Sequence, residues 1–419
     1  MTPLNHPFYA RYAGGLLVLL GLVINPYTVG FYTTDGIIES ARTIMAIGLL
    51  ELMIIVCGIF VGYKQWAGSA TLAFSLTFLL LLLVITETMV VALNLFVPPD
   101  YQERHQLFYR FYQPDPELGY KIKANLTHYK MSWMGQTVTG IYSTDDQGFR
   151  NVGRDYAASQ HYFIGDSFTF GDWVERPKTF YGLLESNLGA PVISLGVGGY
   201  GLAQYRHLVK SRLYPPATKV ILGIFANDLQ PIPDANYLRN YYTMAGWKAY
   251  QSPDYSYKTR SLVTQLIKTV THQISGTAHN RQYQVLPNGV YLYKNRGANP
   301  KYMADSQYIA AEQALLDIIE WVRQHHLSLL IALIPSKESA YSVEYEQFFP
   351  GHYLNNENQG YARISQLASK QGVPCVDLTP LFRNQTKRGQ KLYFDQDPHW
   401  NEQGHRLAAE GLMPYLGRQ

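Results

Sequence analysis

Cysteine is nearly missing: the 419-residue sequence holds two, Cys57 and Cys375. Cys57 falls in an apolar run and Cys375 far downstream in a globular stretch, so no disulfide can close within that domain. Cysteine usage therefore does not fix a compartment. Charge is scarce as well. Asp, Glu, Lys and Arg together make 16% of the chain and the net charge is +4. That balance excludes the basic footprint of a nucleic-acid binder and an acidic tail. Metal-ligand spacing is lacking too: adjacent His325 and His326 with scattered lone histidines do not spell a zinc site. No metal and no cofactor are expected.

What is present is unevenly placed. Three long apolar runs occupy the first hundred residues, roughly Gly14–Phe31, Thr43–Val61 and Ala70–Val97. Each is long enough to cross an ~30 Å hydrocarbon core as a helix. A cleaved signal peptide needs one run, so three predict a retained multi-pass anchor. Arg11 before the first run and Lys64 in the second loop suggest a cytoplasmic N-terminus. Three spans would then place the downstream domain outside, periplasmic or extracellular. Glu51 and Glu87 lie inside apolar runs, either as functional intramembrane acids or paired with neighbours such as Thr86, Thr88 or Asn94.

Residues 1–97 thus form a transmembrane region and 98–160 a connector. The connector alternates polar and apolar residues around Gly135-Gln136, the pattern of an antiparallel ribbon. From 161 to 419 the pattern becomes strand–helix alternation. Short apolar strands read at 161–165, 192–197, 219–225, 327–335 and 373–378, with helical segments between them. This predicts a parallel sheet with helices on both faces. One insertion, about 229–305, interrupts the rhythm with Tyr237, Tyr241, Tyr242, Trp247, Tyr250, Tyr255 and Tyr257. Insertions of that length often form lids or substrate walls. Leu262, Val263, Leu266, Ile267, Val270 and Ile274 recur within it at helical spacing, predicting a helix packed on the domain.

The stretch "HYFIGDSFTFGDWVERPKTF", 161–180, puts Ser167 on the hinge between a strand and a helix. Small residues suit any sharp turn, so alone it is ambiguous. Asp166 beside it suits an Asx role, bonding turn amides. "GVGGYG" at 196–201 spells a dinucleotide fingerprint, but the acid expected for the ribose is misplaced: Asp228 lies beyond the window. A turn that lets a backbone N–H approach a ligand explains the glycines better. Ser167 follows the first strand, Gly196 the second and Asn227 the third, and "YFDQDPHWNEQGH" sets Asp397 and His399 before the last helix. Nucleophile, backbone donor, amide donor, base and carboxylate would meet at one rim, the set that acyl transfer needs. Asp395 is the alternative carboxylate. His405 suits a structural role, and Lys337 either a solvated loop position or contact with an anionic substrate.

"GDSFTFG", "GVGGYG", "GIFAND" and "DPHWN" occur in the order and approximate spacing of the four blocks of the SGNH (GDSL-type) hydrolase superfamily, which the chain resembles over about 150–419. The resemblance implies a three-layer α/β/α, flavodoxin-like domain, here preceded by three transmembrane helices. It implies Ser167 as nucleophile, with its own N–H, the Gly196 N–H and the Asn227 side chain as oxyanion donors. His399 would be the base and Asp397 its orienting acid. "DPELGYKIKANL" and "DDQGFRN" resemble the lead-in of membrane-anchored bacterial members, and "IALIPSKESAY" a segment of alginate-type O-acetyltransferases. Two departures stand out: Ser194 replaces the usual Asn of the second block, and Gln396 the usual acid three residues before the histidine. The expected activity is that of a serine esterase or O-acyltransferase on an acyl ester, carbohydrate or lipid, at a membrane, with a membrane-bound acyl-donor partner conceivable. The other reading is a catalytically silent scaffold on the same fold.

Overall fold

The computed structural model describes residues 6–25, 41–64, 69–92, 110–133, 138–229, 261, 263, 264, 266, 283–294, 305–350 and 355–416. Two compact units emerge: Met1–Gln102 with Ser252–Arg281, and Glu103–Gln251 with Gln282–Gln419.

The first unit is built on helices α1 (His6–Val23), α2 (Ala41–Lys64) and α3 (Ser69–Ala92). Two helical stretches, Ile44–Lys64 and Thr71–Val90, are long and apolar enough to cross a membrane. Among the described residues these are the two that qualify, so the expectation of three such helices is not confirmed. The apolar part of α1, Pro7–Val23, is shorter, beginning before and ending well short of the run read from sequence. The helices pack through small residues. A side chain built on Gly14 would lie 2.5 Å from the Gly58 carbonyl oxygen, and one on Gly58 2.8 Å from that of Gly14. Glycine on both sides is what lets the two backbones approach this closely. Glu87 is buried in this unit and accepts a hydrogen bond from the Val263 N–H at 3.4 Å. The insertion residues Val263, Thr264 and Leu266 group with the apolar helices, whereas the spacing predicts a helix belonging to the downstream domain. Tyr237, Tyr241, Tyr242, Trp247, Tyr250, Tyr255 and Tyr257, with Leu262, Ile267, Val270 and Ile274, lie outside the described residues.

The second unit opens with two antiparallel pairs, β1 (Tyr112–Asp115) with β2 (Gly119–Ile122) and β3 (Tyr129–Trp133) with β4 (Val138–Tyr142). Five parallel strands follow in the order β6–β5–β7–β10–β11: β5 (His161–Ile164), β6 (Val192–Ser194), β7 (Lys219–Ile224), β10 (Ser328–Leu333) and β11 (Cys375–Asp377). Register sets His161 against both Val192 and Lys219, and Ile331 against Cys375. The central strands are buried on both faces, which is why they read as unbroken apolar runs rather than alternating ones. A small hairpin, β8 (Tyr283–Val285) with β9 (Tyr291–Tyr293), ends the insertion; Gly289 occupies its turn.

The helices fall into two sets. Leu202–Arg212 and Asn355–Lys370 pack against Asp305–Gln324, whereas Phe180–Leu188 and Thr379–Lys387 pack against Glu402–Leu412. From β5 the chain steps to β6 on one side and then crosses back to β7 on the other. That reversal of strand order leaves a crevice beyond the carboxyl end of β5, where open α/β sheets bind their ligands. Ser167 lies there.

Candidate active site

Strand β5 ends at Ile164, and a single-turn helix, Ser167–Phe170, begins three residues later. Asp166 caps it, accepting the Phe168 N–H at 2.9 Å, the Asx role expected of it. Ser167 is the first helical residue, so its hydroxyl stands at the sheet rim. On the far side of the rim, Asn401 caps the last helix by accepting from Gln403 and Gly404 N–H. The loop before that cap carries Asp397 and His399.

The two loops meet. His399 Nε2 lies 2.8 Å from Ser167 Oγ, and His399 Nδ1 lies 2.6 Å from Asp397 Oδ1. The same carboxylate oxygen accepts the His399 backbone N–H at 2.9 Å, which fixes both ring and loop. Asp395 is excluded from this line. Its carboxylate is half exposed and paired with Lys391. Lys337, in contrast, is 1% exposed, and its ammonium donates to the carbonyls of Phe394 and Asp395 at 3.0 Å each. It is neither solvated nor placed to meet a substrate; it clamps the loop that delivers Asp397.

The electrostatics follow from burial. Burial works against a charged imidazole, but the neighbouring carboxylates of Asp397, Asp172 and Asp166 outweigh it and raise His399 to about 9. Burial likewise opposes ionisation of Asp397, yet the adjoining imidazole and its N–H bonds hold that carboxyl below its ordinary value. Asp172 was not singled out from sequence. Its carboxylate approaches His399 Nε2 at 3.7 Å, and burial, partly offset by that imidazole, raises it to about 7. His405 is a structural residue: Nδ1 accepts the Phe180 N–H at 3.2 Å, and burial pushes it down to about 3.

Gly196 is placed differently from the expectation. It is buried behind the serine, with its N–H turned to Ser194 Oγ at 3.4 Å. A Cβ there would stand 2.3 Å from Phe170 N and 2.5 Å from Thr169 C, so only glycine lets β6 approach the Ser167 helix. The glycine beside the hydroxyl is Gly198, whose added Cβ would lie 3.7 Å from Ser167 Cβ and 3.9 Å from Asp172 Oδ2. Among the described residues, nothing accepts from the N–H groups of Gly198 and Gly199. The Gly198 carbonyl is held from behind by Tyr120, whose hydroxyl donates at 2.7 Å. Asn227 is exposed in the turn Ala226–Leu229 after β7, at the same rim. Asp228, the misplaced acid of the dinucleotide pattern, is buried and accepts from Phe225 N–H and Tyr205 hydroxyl at 2.7 and 2.8 Å. It supports the turn and faces no ribose.

Two residues of the lead-in complete the frame. Arg150 donates to the carbonyls of Phe170, Gly171 and Val174 at 2.8–2.9 Å, locking the segment that holds Asp172. Asn151 brackets Ser194, accepting from its N–H at 3.0 Å and donating to its carbonyl at 2.9 Å. An asparagine side chain thus sits against the second block, from the loop between β4 and β5. The "GFRN" quoted from the lead-in was the available signal.

Residues 291–419 match the family model described as SGNH hydrolase-like domain, acetyltransferase AlgX. No curated protein matches. Among solved structures, the chain is similar to an acetyl xylan esterase, AlAXEase, at 16% identity and TM-score 0.37, over 61% of this chain and 99% of that one. It is similar to an acetylxylan esterase from Geobacillus stearothermophilus at 14% identity and TM-score 0.35, over 62% and 94%. TesA matches at 12% identity and TM-score 0.34, over 62% and 98%. With its four ordered blocks and the match at 291–419, the chain resembles the SGNH hydrolase superfamily, its C-terminal part being similar to the acetyltransferase AlgX domain.

Proposed function

We propose that the protein is a membrane-anchored serine esterase or O-acyltransferase working through an acyl-Ser167 intermediate. The observation that carries this reading is the unbroken line from Ser167 Oγ through His399 to Asp397, at 2.8 and 2.6 Å. His399 Nε2 takes the serine proton as Oγ attacks an ester carbonyl. Asp397 holds the ring by Nδ1 and stabilises the imidazolium that forms. The negative charge on the carbonyl oxygen is met by the N–H groups of Ser167 and of the Gly198–Gly199 turn, and by Asn227. Donors aimed at that oxygen before reaction are each worth about 3–4 kcal/mol. The imidazolium then protonates the leaving alcohol. Water completes an esterase cycle, and a second hydroxyl compound a transferase cycle.

The apolar helices would hold this domain at a membrane, with acyl groups on an envelope glycan or lipid as the substrates. A fluorophosphonate probe tests the core of the reading, since it labels an activated serine and not a turn residue. Stoichiometric labelling of the folded protein, lost in Ser167→Ala, is the expected result. A folded protein that does not label is a scaffold on this fold.

A further inference from the structure

The mechanism above leaves one group at the centre of the site unused. Asp172 follows the helix that bears Ser167 and is tied to it by a hydrogen bond from its N–H to the Ser167 carbonyl at 3.1 Å. Its side chain is 17% exposed. Among the described residues, no hydrogen bond reaches its carboxylate; its one salt-bridge partner is His399 Nε2 at 3.7 Å, while the charges of Asp397, Asp166 and Arg150 act on it from farther away. Asp166, by contrast, accepts the Phe168 N–H and, at 3.3 Å, the Ser167 hydroxyl, and Asp397 holds the His399 N–H and ring. A partly accessible carboxylate without a donor is costly to keep beside a reacting serine unless a ligand supplies the donor.

Its position says which ligand. Asp397 sits on the Nδ1 side of the imidazole and Asp172 on the Nε2 side, where an alcohol must stand to exchange a proton with the base. The oxygen being activated occupies Nε2, so Asp172 is available to a different hydroxyl of the same molecule. Two gauche hydroxyls on adjacent carbons lie about 2.8 Å apart, an ordinary hydrogen-bond length. That spacing lets one reach Nε2 while the other reaches Asp172.

We propose that Asp172 is a specificity-determining residue that accepts a hydrogen bond from a second hydroxyl of the reacting alcohol, so that the site prefers vicinal diols over simple alcohols. This rests on the acyl-Ser167 reading. In the transfer step the first hydroxyl gives its proton to Nε2 while its oxygen bonds to the acyl carbon. The bond from that carbon to Ser167 Oγ then breaks, and Oγ recovers the proton from the imidazolium. Asp172 gains and loses no proton; it orients the acceptor.

The test uses the full-length protein with an aryl acetate donor and competing acceptors: 1-propanol, 1,2-propanediol, glycerol and a methyl hexopyranoside. Intact mass of the acyl adduct and the ratio of transfer to hydrolysis are read for the wild type, Asp172→Ala and Asp172→Asn. The ratio is independent of how much acyl-enzyme accumulates. The wild type should favour 1,2-propanediol over 1-propanol by roughly tenfold, the scale of one charge-assisted hydrogen bond. Asp172→Ala should bring that preference to about unity, and Asp172→Asn, which keeps an acceptor oxygen without the charge, should cut it to about two- to threefold, so a fall in preference is read even if the alanine variant does not fold. Glycerol against the glycoside separates a lipid-type from a sugar-type diol. An acyl-enzyme with equal preference in wild type and variants overturns the role of Asp172. Absence of any acyl-Ser167 adduct in the wild type overturns the catalytic reading beneath it.

Discussion

Replacing Asp397 by asparagine separates the two carboxylates that the "DQDPH" segment offers. Both hydrogen bonds from His399 end on one oxygen, Oδ1, at 2.6 and 2.9 Å. An amide oxygen in that place can still accept both, so Asp397→Asn removes charge while keeping the loop. The rise of His399 from 6.5 to about 9 measures how strongly its carboxylates favour imidazolium. That rise corresponds to roughly 3 kcal/mol at 1.36 kcal/mol per pH unit. Asp397 is the largest favourable contributor and also has to offset the burial of the ring. Its loss should lower kcat/KM by about 10²- to 10³-fold with little change in KM. Asp395 is half exposed and bound to Lys391, so Asp395→Asn should stay within about twofold, the scale of an exposed pair. Initial rates on an aryl acetate, with circular dichroism as a folding control, decide the matter. An Asp397→Asn variant that keeps a third of wild-type activity, or an Asp395→Asn variant that loses most of it, refutes the assignment.

Other expectations follow from the same geometry. Because His399 must be neutral to accept the serine proton, kcat/KM should climb with pH up to about 9. Asp172→Asn should move that limb to lower pH, leaving Asp397 and Asp166 as the facing carboxylates; an unmoved limb would show that Asp172 does not sense the ring. Gly196→Ala keeps the N–H but drives a methyl into the Phe170 backbone, so it should cost about 1–3 kcal/mol in urea unfolding and slow fluorophosphonate labelling. Wild-type stability in that variant would contradict the packing role. His405 is held neutral, with a folded value of about 3 against 6.5, so its contribution is intact above pH 6.5 and is lost as pH falls toward 3. By pH 5 the loss amounts to about 2 kcal/mol. His405→Asn, which keeps an acceptor for the Phe180 N–H, should show a smaller drop in urea midpoint between pH 7 and pH 5 than the wild type.

Much of the sheet was legible because strands buried on both faces leave continuous apolar runs, and 161–164, 219–224 and 328–333 fall within a residue or two of the segments read. Ser167 and His399 were legible because strand ends in a parallel sheet share one rim. The acid is legible only as a preference: the pattern favours Asp397 and keeps Asp395 open, since the two are two apart in an irregular loop and only the loop's path decides which turns inward. Gly196 and Gly198 posed the same problem: composition marks the turn, while its winding decides which glycine meets the serine and which meets the helix behind it. Lys337 was misplaced because a lysine in a polar loop gives no sign that carbonyls from Phe394 and Asp395 await it. Asp172 carried a faint signal, a lone acid one residue past Gly171. The insertion misled for a different reason. Helical spacing reports an apolar face but not which unit covers it, and Glu87 sits 176 residues upstream of Val263 in the sequence.

The hairpin Tyr112–Ile122 reaches across to the Gly198 carbonyl, and Arg150 and Asn151 brace the serine segment and β6. The functional border of the domain therefore does not coincide with the first strand of its sheet. A fragment cut at His161 would carry Ser167, His399 and Asp397 yet lack the parts that set the serine helix and the glycine turn. Any shuffling of this module between proteins, natural or by design, has to carry the chain from about Glu103 onward. The segment that reads as a mere connector is, for purposes of inheritance, a piece of the domain.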